Sequence, residues 1–292
     1  MKKKDLAIDL LDMALARRNE PAALATALIA LDRLTQARPD HARAHYASGR
    51  VLLLMGQHQL ALGAFRVALG HDAEHAASHY WEGVALWLLG RPSEALSKVL
   101  NAVFLDPTFF DARFDAGQLF FQHGDREAAL EQWKAALELR PDDFGTLRKV
   151  LQCLLALGYY GTADITHQRL KQVWLTSADP AVRAVRSYVL DQFKVGDLHV
   201  LAVESLAVET DPAVLFAFPV SHEGRLAFTV NLETSAALRV AGSACVVTVV
   251  EGDVRFATDV RYAEVPGYHV LKPTVLGVIR RHAGVSDEVP AE

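Results

Sequence analysis

Apolar residues recur at helical spacing across residues 42–141, and the pattern repeats. An alanine is followed four residues later by a larger apolar side chain and three residues after that by another alanine, as in Ala61, Phe65 and Ala68. The same triplet returns 34 residues later and once more after a further 34. Residues three and four apart share one face of an α-helix. The pattern therefore predicts repeated helices with a common buried face.

Two sets of glycines follow the same 34-residue step. The first set lies inside the first helix of each unit, where glycine costs about 1 kcal/mol of helix propensity, so we predict that the paired helix approaches closely there. The second set is predicted to end those helices in the left-handed conformation. The first set comprises Gly49, Gly83 and Gly117, and the second comprises Gly56, Gly90, Gly124 and Gly158.

These residues resemble the tetratricopeptide repeat family over roughly residues 5–175. The family's Gly, Ala, Phe, Ala and Pro marks are matched together in Gln118–Pro141, with Trp133 at the Phe mark. Its first Trp mark falls instead on His45, His79 and Arg113, and its Leu mark on Ser48, Glu82 and Ala116. The resemblance implies an all-α solenoid of about four to five helix–turn–helix units. It also implies that the first helices line a concave groove.

Three units are clear and two are imperfect. The clear units are 42–73, 77–107 and 111–141, and a degenerate unit precedes them at 5–37. In the fifth unit, 143–174, Leu151 replaces the helix-interior glycine and His167 replaces the aromatic residue. Degenerate end units are expected because the ends of a solenoid need a polar outer face.

The hydrophobic pattern changes from helical to strand-like after Phe193. Runs rich in β-formers and bounded by turn residues predict about five strands joined by hairpins, followed by a helix. The predicted strands are 198–209, 213–220, 226–232, 245–250 and 254–262, and the helix is 268–282. Hairpin connections predict an antiparallel α+β domain.

The chain is therefore predicted to contain two domains. Residues 1–176 are assigned to the helical repeats and residues 194–284 to the β-rich domain. Between them, residues 177–193 are predicted as a capping helix or linker, because Asp179-Pro180 is a helix start and the apolar positions continue to Leu190. The tail, 285–292, is predicted to be disordered.

Composition excludes several functions. The net charge is −5, and residues 1–176 hold 20 basic and 20 acidic side chains, so no basic surface for nucleic acid is predicted. No run approaches the roughly 18 apolar residues that span a bilayer, so no membrane insertion is predicted. Cys153 and Cys245 lie in apolar runs and are interpreted as buried thiols of a cytoplasmic protein. Frequent arginine and alanine with scarce isoleucine indicate a bacterial source.

The family resemblance carries over a candidate ligand-binding lining, which we call the groove set. Its aromatic side chains offer contact area and its arginines could pair with a carboxylate of an extended or helical peptide. The alternative is that the aromatics pack within or between units. The groove set comprises Arg43, Tyr46, Arg50, Tyr80, Trp87, Phe114, Gln118, Phe121, Gln122, Arg148 and Gln152.

Metal and catalytic sites are not predicted. His41 and His45 are four residues apart, as are His71, His75 and His79, but the second group crosses a turn and no zinc-protease pattern is present. In the second domain His199, Glu204, Glu209, Glu233, Asp253 and Asp259 could supply acid–base chemistry. Their spacing does not demand it, and no nucleophile, Walker or dinucleotide motif occurs.

The sequence therefore favours a non-enzymatic scaffold or adaptor without a cofactor, which binds a peptide or protein segment in the groove. Self-association is left open. One alternative is an enzyme or small-ligand binder in the second domain, with the repeats as a targeting arm. Another, on resemblance alone, is a bacterial secretion or pilus assembly chaperone.

Overall fold

The structure, a computed structural model, describes residues 5–205, 213–234 and 245–285. The chain forms two compact units, 1–141 and 142–292. The predicted disordered tail, beyond residue 285, lies outside the described residues, as does Glu209 at the end of a predicted strand. Among the described residues no helix is long and apolar enough to cross a membrane.

The first unit consists of paired helices in consecutive order, as the repeat predicts. Each predicted unit of the array supplies two antiparallel neighbours joined by a short turn. The helices are α1 (Leu6–Ala16), α2 (Pro21–Ala37), α3 (Ala42–Leu54), α4 (His58–His71), α5 (Ala76–Leu88), α6 (Pro92–Leu105), α7 (Phe110–Gln122) and α8 (Arg126–Leu139).

The predicted close approach at the helix-interior glycines is confirmed. A Cβ atom built on Gly49 would lie 2.6 Å from Phe65 of the paired helix, and one on Gly117 would lie 2.5 Å from the indole nitrogen of Trp133. Real Cβ atoms do not tolerate such distances, so only glycine fits. The second glycine register also behaves as predicted, because Gly56 and its equivalents have positive φ angles.

The positions that depart from the family's Trp mark share a structural role. His45 Nε2 lies 2.8 Å from the carbonyl oxygen of Pro39, and His79 Nε2 lies 2.9 Å from that of Ala73. In the next unit Arg113 Nε donates to the carbonyl of Pro107 at 2.6 Å. Each side chain thus ties the start of one unit to the turn that closes the preceding unit.

A buried carboxylate connects three consecutive helices. Glu82 on α5 is only 1% exposed, and it receives Arg66 from α4 at 3.2 Å and Lys98 from α6 at 3.0 Å. A buried charge is tolerated when it is paired, and loss of one partner is costly. The pairing links the first and second clear units at the position of the family's Leu mark.

The second unit combines a helical pair with a sheet. Helices α9 (Phe144–Ala156) and α10 (Tyr160–Thr176) are followed by the short α11 (Pro180–Arg183). Among the described residues, six antiparallel strands then follow in sequential order, and α12 (Tyr268–Ala283) comes after them. The strands are β1 (Ser187–Val195), β2 (Leu198–Ser205), β3 (Ala213–His222), β4 (Arg225–Thr234), β5 (Cys245–Glu251) and β6 (Val254–Tyr262).

The predicted fold class is confirmed, but the capping helix is wrong beyond Arg183. Residues 187–195 form a sixth strand that pairs with β2 along its length. In this segment Tyr188 and Leu190 are buried whereas Val189 is exposed, so the apolar residues follow a period of two. Val189 and Leu190, which could be placed on a helix face, therefore belong to a strand, because pairing with β2 satisfies the backbone.

Helices cover one face of the sheet. Tyr268 of α12 stacks on Phe216 and Phe218 of β3, and the apolar side of α12 continues through Leu271 and Val275. The hydroxyl of Tyr268 and the ammonium of Lys272 both donate to Asp191 of β1, at 2.8 and 2.7 Å. Cys153 and Cys245 are buried thiols, as predicted.

The helical pair contacts this same face through a buried ionic cluster. Glu204 of β2 is 2% exposed and accepts hydrogen bonds from His167 and from the hydroxyl of Tyr188. Lys171 of α10 lies 2.5 Å from its other oxygen. Burial opposes ionisation, but the hydrogen bond and charge of His167, together with Lys171, outweigh it and lower the pKa of Glu204.

Replacing Gly117 by alanine is expected to destabilise the chain by about 1–3 kcal/mol, because the added Cβ overpacks the buried indole of Trp133. Gly63, which is exposed in α4 with no atom within 4 Å of an added Cβ, is the matched control. Gly63→Ala is expected to stabilise by up to about 1 kcal/mol. Urea unfolding followed by circular dichroism measures both. If both substitutions changed the free energy of unfolding in the same direction, the close approach at Gly117 would be contradicted.

Glu204→Gln is expected to lower the free energy of unfolding at neutral pH by about 1–3 kcal/mol, because it removes a charged acceptor from a buried cluster. The folded-state pKa of Glu204 is depressed below 4.5, so wild type keeps this advantage above pH 4.5 and loses it as the pH falls through the folded pKa. Unfolding midpoints of both proteins across this range test the expectation. An advantage that grows in acid would refute it.

Candidate functional site

The tyrosines of the groove set are largely buried between units. Tyr46 is 8% exposed, and its ring packs edge-on against His75, which precedes α5. Tyr80 occupies the equivalent position one repeat later, and its ring lies against Phe109, which precedes α7. These two aromatics therefore hold neighbouring first helices together. Their surroundings match the alternative given for the groove set, in which its aromatic residues pack between units instead of lining an open groove.

The two arginines of the groove set in the first unit have partners within the chain. Arg43 is exposed, and its Nη1 lies 3.5 Å from Asp5. The guanidinium of Arg50 lies 3.5 Å from the ring centroid of Trp81, and it donates to the hydroxyl of Tyr46 at 3.2 Å. Arg50 therefore fills the space between α3 and α5.

The remaining side chains on α7 are partly accessible. Phe114 is half-buried and stacks on Phe110, while Phe121 is half-buried against Trp133. Gln122 is exposed at the end of the helix. This part of the groove set is thus divided between packing and open surface.

A small cavity opens between α5 and α7. It holds about 30 Å³, room for a water or the tip of one side chain. Trp87, which is 47% exposed, forms part of its wall. Gln118 contributes a buried carboxamide oxygen that has no hydrogen-bond partner among the described residues. The lining residues are Gly83, Val84, Trp87, Val99, Asp115, Gln118 and Leu119.

Asp115 is the charged residue of this lining, and it does not belong to the groove set. It is half-buried and accepts a hydrogen bond from the Tyr80 hydroxyl at 2.8 Å. Burial raises the pKa of Asp115, and the nearby Asp111 adds to this effect against the hydrogen bond from Tyr80. The available signal was a carboxylate at a repeat position that is apolar in the two preceding units, Ala47 and Trp81.

The last two members of the groove set belong to the second unit. Gln152 donates to the carbonyl of Val189 in β1 at 2.7 Å, so its amide supports packing of α9 on the sheet. Arg148 is half-buried on the same helix. The structure therefore brings Trp87 and Gln118 together with Asp115, but it does not place Gln152 on an open surface.

Several of the histidines and acidic residues considered for metal or catalytic chemistry contact other protein groups. His75 approaches Ser78 at 2.7 Å, and burial lowers its pKa. Within the described residues no three His, Cys, Asp or Glu side chains converge on a metal position. Both oxygens of Glu204 are occupied by protein groups, and Glu233 pairs with Arg255 at 3.1 Å and Asn231 at 3.2 Å.

Comparison with known proteins identifies the repeats. The profile of the family described as "Tetratricopeptide repeat" matches residues 3–73, 46–108 and 114–163, more than half of the chain. Among the curated proteins no sequence matches significantly.

Solved structures show the same fold in bacterial proteins. MamA from Desulfovibrio magneticus is 18% identical with a TM-score of 0.52, over 60% of this chain and 96% of that one. Pseudomonas aeruginosa PilF is 22% identical with a TM-score of 0.52, over 60% and 78%. Another MamA structure is 16% identical with a TM-score of 0.51, over 59% and 93%. These likenesses concern the fold alone.

Proposed function

The chain belongs to the tetratricopeptide repeat family, and we propose that its first unit binds a peptide segment of a protein partner across α5 and α7. Tetratricopeptide proteins bind protein partners and are typically non-enzymatic scaffolds. The proposal concerns which surface is used here. The chain acts as an adaptor, and the cavity beside Trp87 is its contact point.

The accessible indole of Trp87 is the observation that carries this proposal. The other large aromatics of the groove set in the first unit are buried or half-buried, whereas almost half of Trp87 is open beside a cavity. Tryptophan at the edge of a pocket is a frequent energetic centre of protein interfaces. The neighbouring Asp115 and Gln118 provide polar groups that fix orientation.

The size of the cavity supports a peptide ligand rather than a small metabolite. The cavity is too small for a drug-sized ligand, whose pockets span roughly 300–1,000 Å³. It accommodates the tip of one anchoring side chain, with the rest of a segment lying along the helices. The second unit offers no comparable argument for catalysis, because the oxygens of Glu204 already contact protein donors.

Site-specific photocrosslinking tests the proposal. The photoreactive residue benzoylphenylalanine replaces Trp87 in one full-length protein and Phe104 in another. Phe104 is the matched control because it is an aromatic residue on α6 that is 83% exposed and does not line the cavity. Irradiation in the source cell's lysate is expected to join a partner peptide to position 87 and not to position 104, as mass spectrometry of the adducts would reveal.

Affinity measurements complete the test. Trp87→Ala is expected to lower the affinity for the crosslinked partner at least about fivefold, because it removes a side chain that anchors the interface. Phe104→Ala should leave the affinity unchanged. Crosslinking only at position 104, or a partner that binds Trp87→Ala as tightly as wild type, would refute the assignment to this surface.

A further inference from the structure

Asp115 and the buried carboxylates among the described residues differ in the groups that pair with them. Glu82 pairs with Arg66 and Lys98, Glu204 with Lys171, and Glu233 with Arg255. Among the described residues no basic side chain pairs with Asp115, which accepts one hydrogen bond from the neutral hydroxyl of Tyr80. A carboxylate removed from water without a cation is unfavourable, so a cation supplied from outside would be stabilised there.

The repeat itself shows what the space beside Asp115 lacks. One unit earlier Arg50 of α3 lies over Trp81 of α5 and contacts the hydroxyl of Tyr46. Adding 34 to these positions gives Val84, Asp115 and Tyr80. The arginine is thus replaced by a shorter apolar residue, and Val84 and Asp115 both line the cavity. The cavity lies at the repeat-equivalent position of the earlier cation.

The remaining lining groups also suit a cation. Gln118 presents an unpaired carboxamide oxygen, which can accept a hydrogen bond. The exposed indole of Trp87 can bind a positive charge over its ring. Two acceptors and an aromatic face, with no basic side chain in the lining, select against an anionic ligand.

We propose that the cavity between α5 and α7 receives the charged tip of a lysine or arginine side chain of the bound peptide, with Asp115 as its counter-ion. This inference rests on the proposed function and names the partner's chemistry at one subsite. The ligand's basic group occupies the space that corresponds to Arg50 and contacts Asp115 and Gln118. From the sequence, arginines of the groove set are expected to pair with a carboxylate of the peptide. In the proposal here, the cavity instead selects a basic group of the peptide.

The test begins with peptides of random sequence displayed on phage and selected on the full-length chain. Selected peptides are expected to contain a lysine or arginine, and replacing that residue by norleucine should weaken binding at least about tenfold. Asp115→Asn should lower the affinity for the parent peptide by a similar factor but leave the affinity for the norleucine peptide nearly unchanged. Such coupling between the two changes identifies a direct interaction.

Two variants control for charge and folding. Glu131→Gln removes an exposed carboxylate on α8 and makes the same change in net charge, so it should alter affinity less than about twofold. Val84→Arg places the earlier repeat's cation in the cavity. It should abolish peptide binding without lowering the unfolding midpoint. If Val84→Arg does not fold, Asp115→Asn still decides the question.

The possible results separate this inference from the proposed function. Trp87→Ala could weaken the selected peptides while neither Asp115→Asn nor replacement of the peptide's basic residue changes their affinity. That result would overturn the inference and leave the proposed function standing. Failure to select any peptide, or binding unaffected by Trp87→Ala, would overturn both. Self-association in ultracentrifugation that Asp115→Asn abolishes would assign the cavity to a second copy of this chain and overturn the peptide partner.

Discussion

The close contact between paired helices is the constraint on which the helical array depends. At Gly49, Gly83 and Gly117 the absence of a side chain lets the partner helix lay Phe65, Val99 or Trp133 directly on the backbone. Each contact fixes one helix pair, and the other repeated contacts follow from the geometry that it sets. Tyr46 and Tyr80 then meet the residue before the next first helix, and His45, His79 and Arg113 reach the preceding turn.

The fifth helical pair uses the same positions for a different purpose. Leu151 occupies the glycine position, so the tight backbone contact is lost, and His167 occupies the aromatic position. His167 hydrogen-bonds Glu204 of the sheet, and Gln152 binds the backbone of β1. A departure from the repeat pattern thus marks the pair that packs against the β-strands. The same reasoning applies to Glu82, where a charged residue at an apolar mark gains two basic partners from adjacent helices.

Charge balance inside the array gives the candidate site its character. Arg50 stacks on Trp81 and donates to the hydroxyl of Tyr46, whereas the equivalent position in the next pair holds Val84, and among the described residues no basic side chain pairs with Asp115. The repeat allows this replacement of arginine by valine to be recognised, because the preceding unit holds Arg50 at the equivalent position. Trp87 and Gln118 then turn the vacant space into a surface that favours a basic side chain.

The sequence by itself determined the helical array and most of the second unit. A 34-residue period, glycines with two distinct functions and alternating apolar residues are local signals, so they predict helix pairs and the strands from β2 to β6. Burial of Cys153 and Cys245 was also predictable, since both lie in apolar runs. Trp87 and Gln118 could be selected by register, because register fixes which face of a helix a residue occupies.

Only the tertiary structure decided the role of residues whose partners are distant in sequence. Residues 187–195 became a strand because β2 offers hydrogen bonds along their length, a contact that local propensity does not contain. Tyr46 and Tyr80 were indistinguishable from open groove residues until the next unit covered them. Asp115 became a site candidate through Tyr80 and the space beside Val84, because unpaired charge and cavity are properties of packed neighbours rather than of a residue type.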